Sequence, residues 1–440
     1  MLRRSALALI VLAAGLPAQA PPEPSTFEFG FEQRVRNENW NNILDYSDAR
    51  DDARQQIRYR TRAWTKAPLS HNVDFFVGIN QETCDRIGQD NTFDEVIFDA
   101  AYLDFKRLFT DGLALRIGRQ NLMRGEGFIL LDGGPWDGSR ALYHNAVNLS
   151  YTRDKSKIEV IGILNPKRDR MLPQFHDQNR NLVDWDESAL GTYFTHASGA
   201  EAYYFYKRET NATRPALGGR FQPDRHIHTA GGRAVRKLGP EWTATAEFAY
   251  QWGFERPVSS ITAWGGYGYL RRTWSQRAWK PYVQAGYWAM SGDDPSTPGR
   301  YEGWDPLWSR WPKWSEGYIY SQMREVSASY WTNIGMWQAE LGAAPRKPVG
   351  LRLTYYRMNA FHPFPGDPGI FAGGRRRGDN LQGRLDLAIG PHWKAHALYE
   401  AHLPGSFYRA QNSGYFLRFE LAYSITARIT ADHLKHAFSR

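Results

Sequence analysis

The stretch "RQQIRYRTRAW", residues 54–64, sets charged and apolar residues in strict alternation. With a period of two, Gln56, Arg58, Arg60, Arg62 and Trp64 share one face, and Ile57, Tyr59, Thr61 and Ala63 share the other. This is a strand with a cationic side. Guanidiniums two residues apart repel one another, so a row of them makes sense where something anionic meets it.

The same alternation recurs along the chain. In "FEFGFEQRVR", Phe27, Phe29, Phe31 and Val35 oppose Glu28, Gly30, Glu32, Arg34 and Arg36. In "EWTATAEFAYQW", Trp242, Phe248, Tyr250 and Trp252 oppose Thr243, Thr245, Glu247 and Gln251. "WKAHALYEAHL" and "GYFLRFELAYSI" repeat the pattern near the C-terminus, the second setting Leu417, Phe419 and Leu421 against Arg418 and Glu420. Each is a two-faced segment of about ten residues, the length that crosses a bilayer when tilted. Aromatic residues gather at the ends of the apolar faces, where the interfacial girdles of a membrane barrel sit.

Short turns such as "KLGPE" (237–241) and "AIGPH" (388–392) alternate with long polar stretches such as 165–188 and 291–317. Short turns at one end and long loops at the other are the pattern of an outer-membrane barrel. The fold class this implies is all-β: a transmembrane antiparallel β-barrel of about 18 strands, with residues 324–358 the hardest to divide. A soluble propeller or solenoid would show a repeat of fixed length, and the sequence has none. The mean hydropathy of −0.60 also fits a wet interior better than a broad apolar core.

Residues 1–20 read as a secretory signal: Arg3 and Arg4, the apolar run Ala6 to Leu16, then "AQA" before cleavage after Ala20. The remaining residues, 21–440, form one barrel domain with no linker or shift of composition to divide it. Cys84, the single cysteine, excludes an internal disulfide and suits a strand end or loop. The chain carries 55 Lys and Arg against 46 Asp and Glu. Of the 55, 43 are Arg, whose planar fork binds carboxylates in pairs of hydrogen bonds. An exported, Arg-rich chain points to an anionic partner other than nucleic acid.

Other motifs carry less. His396, Glu400 and His402 share a face but lack a fourth metal ligand, "HIH" at 226–228 is no stronger, and "DWDES" at 184–188 is at most a loop calcium site. Trp304, Trp308, Trp311 and Trp314 fall in a long loop, where packing competes with stacking on sugar rings. No nucleophile elbow, phosphate loop or zinc-helix motif appears, so no catalytic residue, metal or cofactor is assigned.

At "LRIGRQNLMRGEGFILLDGGPWDGSRALYHNAVNLSY", residues 115–151, the chain resembles the alginate export family of outer-membrane porins. The resemblance lies in "GRQ" at Gly118 to Gln120, "GEG" at 125–127, Trp136 in the following loop, and the "SGD" at 291–293 that opens a long aromatic loop. It implies an eighteen-stranded barrel whose narrow lumen is lined with Arg and Lys for a polyuronate. The substrate-binding residues expected are Arg58, Arg60 and Arg62 on one strand, Arg34 and Arg36 on the strand before, and Arg116, Arg119 and Arg124 from the family stretch. Arg119 falls on the apolar side of its strand.

The expected function is an outer-membrane porin passing an anionic polysaccharide or oligosaccharide, with Glu28, Glu32 and Glu247 steadying the arginines by pairing. The alternatives are a barrel with cell-surface enzyme or glycan-binding activity, and a general porin for small organic anions. Lipid and an anionic glycan are the expected partners, periplasmic secretion components belong to the export case, and the barrel is expected to be a monomer.

Overall fold

The alternating segments close into a ring. The computed structural model describes residues 26–88, 93–131, 144–173, 175, 185–210, 224–255, 259–309 and 330–430. The expected signal peptide, Trp136, Asp184, Trp311 and Trp314 lie outside these residues. The strands are β1 Thr26–Asn41, β2 Arg54–Ser70, β3 Val73–Arg86, β4 Phe93–Phe105, β5 Leu113–Gln120, β6 His144–Arg153 and β7 Ser156–Asn165. They continue with β8 Asp186–His196, β9 Ala200–Thr210, β10 Asp224–Lys237, β11 Trp242–Glu255, β12 Ser259–Thr273 and β13 Tyr282–Met290. The last are β14 Arg300–Tyr301, β15 Ile334–Arg346, β16 Val349–Asn359, β17 Arg376–Ile389, β18 Trp393–Pro404 and β19 Gly414–Thr430.

Each long strand runs antiparallel to the next, β13 pairs with β15, and β19 returns to β1. The two-residue β14 lies parallel on β12, so the barrel itself has eighteen strands. Of the region 324–358, hard to divide in sequence, residues 324–329 lie outside the described residues, and the rest supplies β15 and nearly all of β16.

The pleat sorts the two faces. On β11, Phe248, Tyr250, Trp252 and Phe254 stand 38–56% exposed on the outside, while Thr245, Glu247, Ala249 and Gln251 are buried inside. Lipid accounts for the outer set, because a hydrocarbon surround accepts apolar side chains and leaves the closed ladder to satisfy the backbone. Thr26 pairs with Thr430, so both ends of the described chain lie at the rim of short turns. By the usual asymmetry of such barrels this rim is periplasmic, and the opposite rim, with segments 121–131, 291–309 and 330–333, is extracellular.

Two extracellular segments fold back into the barrel. Leu122, Phe128, Ile129 and Leu130 follow β5, and Trp304, Leu307 and Trp308 follow β14. They share one buried cluster with Ile161, Phe205, Ile227, Ala249, Trp288 and Met336 of the wall. A second cluster, built on Ile43, Tyr46, Phe371, Phe407 and Phe416, packs beneath the loops above β17, β18, β19 and β1. In a ring of eighteen, nine steps separate opposite walls, so β1 faces β10 and β2 faces β11.

Candidate functional site: the charged wall of the lumen

On β1 and β2 the outward residues Phe29, Phe31, Val35 and Tyr59 are exposed to lipid, which turns Arg34, Arg36, Arg58, Arg60 and Arg62 inward. The register sets Arg36 opposite Arg58, and Arg34 opposite Arg60. Four like charges in two facing pairs would repel unless anions stood between them. The neighbouring strands supply those anions. Arg36 donates from Nε to Glu420 of β19 at 2.7 Å, and Arg58 donates from Nε and Nη2 to Glu82 of β3 at 3.2 and 3.0 Å. Arg34 stands 3.8 Å from both Glu82 and Glu420, Arg60 bonds Glu32, and Arg62 holds Asp99 at 2.6 Å. Glu38 accepts from Arg418 at 2.9 Å and from Arg58 at 3.4 Å.

The first partners of the arginines are thus the barrel's own carboxylates. Arg34, Arg36, Arg58 and Arg60 are only 1–6% exposed, whereas the Arg62 side chain is 18% exposed. Below it the cations open further. Lys66, on the same face of β2, and Lys106, just beyond β4, both reach Asp74 at 2.9 Å with side chains 42% and 48% exposed. Arg116 holds Asp104 at 2.9 Å, lies 4.5 Å over the Tyr102 ring, and is 37% exposed. Arg418, Lys66 and Lys106 were not among the sequence candidates. Lys66 could have been found by extending the Arg58, Arg60, Arg62 row along its own face.

Arg119 and Arg124 sit apart from the row. Arg119, buried at the end of β5, donates to Asp169 at 2.6–2.7 Å, to the Phe98 carbonyl at 2.8 Å and to Asn145 at 3.1 Å. It clamps the loop after β7 onto the wall. Arg124 chelates Glu159 of β7 at 2.8 and 2.6 Å. Gly118 beside Arg119 has φ +127° and would press a side chain into the Ala101 carbonyl, so "GRQ" is a backbone position only glycine fits, followed by a clamp.

The other family motifs are anchors too. Gly125 and Gly127 both have positive φ and turn Glu126 toward Arg233 at 3.1 Å and the Tyr269 hydroxyl at 2.6 Å. In "SGD", the Ser291 carbonyl accepts from Trp304 N at 2.9 Å and Asn333 N at 3.0 Å, fastening both ends of the long loop. Gly292 leaves room for the Asn333 side chain.

The opposite wall uses buried ions differently. Arg225 holds Glu209 at 2.8 Å, Glu255 at 3.0 Å and Asp305 of the inward loop at 3.0 Å, and Lys207 donates to the Leu307 carbonyl at 3.0 Å. Tyr330 also donates to Asp305, at 2.6 Å. Burial pushes the Asp305 carboxyl up, but Arg225, Lys207 and Tyr330 outweigh it and hold it below the usual aspartate range. Trp304 and Trp308 are buried in this packing, the first stacked 5.1 Å from Phe128 and the second donating to Glu187 at 3.1 Å. Neither ring is open to a sugar.

The weaker motifs disperse. His396 lies 3.5 Å from Glu420, Glu400 accepts from Asn380 at 2.8 Å, and His402 stacks on Tyr46 at 5.1 Å. His226 and His228 face outward, stacked on Phe254 and Trp252. Asp186 caps Lys167 N at 2.7 Å. Among the described residues no group of three or more such side chains could hold a metal ion. Cys84 is buried near the end of β3, its thiol 3.3 Å from the Gln56 amide oxygen.

A closed barrel with a lipid-facing belt, short turns at one rim, inward-folded loops at the other and a charged lumen wall is an outer-membrane porin. The model of the alginate export family matches residues 25–418, and the chain belongs to that family. No curated protein matches it. Among solved structures it resembles OccAB4 of Acinetobacter baumannii, with 12% identity, TM-score 0.57 and coverage of 93% of this chain and 100% of that one. It also resembles OccK2 (OpdF) of Pseudomonas aeruginosa in complex with glucuronate, with 11% identity, TM-score 0.57 and coverage of 91% and 98%. OccK5 (OpdH) of the same organism gives 10% identity, TM-score 0.56 and coverage of 91% and 98%.

Proposed function

We propose that the channel passes anionic saccharides, of the uronate class, along the wall formed by β19, β1, β2, β3, β4 and β5. The observation that carries this reading is the descent from the partly exposed Arg62 to the half-open Lys66, Lys106 and Arg116, below a buried stack of arginines. A carboxylate leaving water needs fixed positive groups to replace its hydration, and each of these cations already exchanges hydrogen bonds with a protein carboxylate. A chain of moderate sites allows release as well as binding. The family's association with alginate and the glucuronate complex of OccK2 support the uronate class.

The test is the reversal potential of single channels in a planar bilayer under a potassium chloride gradient, followed by block with oligogalacturonate. Anion preference with block is expected, and both should fall steeply in Arg58→Gln/Arg60→Gln/Arg62→Gln. A native channel that prefers cations, or an anion preference that survives the triple change, overturns the reading.

A further inference from the structure

Glu38 is wholly buried on the inner face of β1, and arginines of three strands point at it. Arg418 Nε of β19 stands at 2.9 Å, Arg58 Nη1 of β2 at 3.4 Å and Arg36 Nη1 of β1 itself at 3.5 Å. The Gln56 amide adds a fourth donor at 2.5 Å. A carboxylate bound by three guanidiniums and an amide is what a strong binding site for a carboxylate ligand would look like if the ligand were supplied by the protein.

We infer that Glu38 is the specificity-setting residue of the charged wall: a resident anion that occupies the best carboxylate site and so limits how tightly passing carboxylates are held. The inference rests on the anion-passage reading above.

Other carboxylates hold two of these arginines without Glu38. Arg36 keeps Glu420 at 2.7 Å, and Arg58 keeps Glu82 at 3.0 Å, each from the adjacent strand. Arg418 stays tethered by its own strand and lies over the Phe416 ring at 5.0 Å. Loss of the Glu38 charge therefore leaves a preformed fork of donors, and not three loose side chains. Filled by glutamate, the site presents little net charge. With its charge removed, the buried guanidiniums would add one net positive charge to the wall above Arg62, so carboxylates passing the open cations below would be held too firmly for rapid passage.

Glu38→Gln keeps the shape and removes the charge. In bilayers, the full-length channel carrying Glu38→Gln should show a higher anion-to-cation permeability ratio. The concentration of trigalacturonate giving half-block should be about tenfold lower than in the native channel, with longer blocked intervals. Where Glu38→Gln fails to form a barrel, judged by loss of its heat-modifiable gel shift, Glu420→Gln replaces it. Glu420 serves Arg36 and Arg34 and is less buried, and its change should lower the half-block about threefold. A folded Glu38→Gln channel with native selectivity and native block overturns the inference while the native channel remains anion-selective. A native channel that prefers cations instead sinks the reading on which the inference stands.

Discussion

On β1, β2, β3 and β19 the inward residues include Arg34, Arg36, Glu38, Gln56, Arg58, Asn80 and Glu82, whereas on β7 to β13, across the lumen, they include Ile161, Phe205, Ile227, Ala249 and Trp288 beneath two loops. The outward residues of the two walls are alike, because the same lipid faces both. What differs is what covers the inner face. Where segments 121–131 and 302–309 lie against the wall, apolar side chains gain by leaving water, at roughly 25 cal/mol per Å² of buried surface. On the charged wall the side chains satisfy one another, and the cations nearest the periplasmic rim stay half open. One wall carries the inward-folded loops, and the other carries the row of cations.

That division can be broken most severely at Arg225. Arg225→Met strands Glu209, Glu255 and Asp305, so it should cost about 3–5 kcal/mol, the range for removing one partner of a buried ion pair. Urea unfolding in lipid vesicles measures the loss. Single-channel conductance should rise and become noisy as the loop around Asp305 loses its clamp, with anion preference kept. An unchanged conductance would show that the loop does not set the width. The sign of the pH dependence follows from the lowered Asp305 pKa: its contribution to loop docking is complete above the unfolded aspartate range. It is lost only as pH falls through the lowered folded value, so the native loop should stay docked at mildly acid pH.

A smaller effect separates the walls through glycine. Gly292→Ala presses on Asn333 at the base of the inward loop, while Gly30→Ala presses on the Trp64 ring in the charged wall. Each should cost about 1–3 kcal/mol by overpacking. The first should alter conductance and the second ion preference. A swap of those two readouts would reverse the roles assigned to the walls. Smallest is Trp308→Phe, which loses the bond to Glu187 and the Lys207 contact, for about 1 kcal/mol with no change of selectivity.

Much of this was legible in the chain before any coordinates. Alternation assigned Phe29, Phe31 and Tyr59 to lipid and Arg34, Arg58 and Arg60 to the interior, because a period of two survives any curvature of the sheet. Glu32, Glu28 and Glu247 were readable as tempering acids, and they pair with Arg60, Arg428 and Arg233. Glu82, Glu420 and Asp99 were not legible as partners, since their meeting with Arg58, Arg36 and Arg62 depends on cross-strand register and, for Glu420, on closure between the first and last strands. Nor was the inward fold of "GFILL" at 127–131, an apolar run whose destination depends on the wall it covers. Arg119 shows the same limit: the pleat puts it outside, but a glycine of positive φ and a distant Asp169 make it a clamp.

The seam between β1 and β19 has a consequence for assembly. Sixteen residue pairs join the two strands, from Thr26 with Thr430 to Asn41 with Tyr415, and none can form until the last strand has arrived. Contacts so distant in sequence make closure a late and slow event. Across that seam Arg36 stands opposite Glu420, and Glu38 opposite Arg418. A slip of two residues one way would set Glu38 against Glu420, and a slip the other way would set Arg36 against Arg418. Either error juxtaposes like charges in a buried place, so these four residues act as a key that lets the ring shut in one alignment.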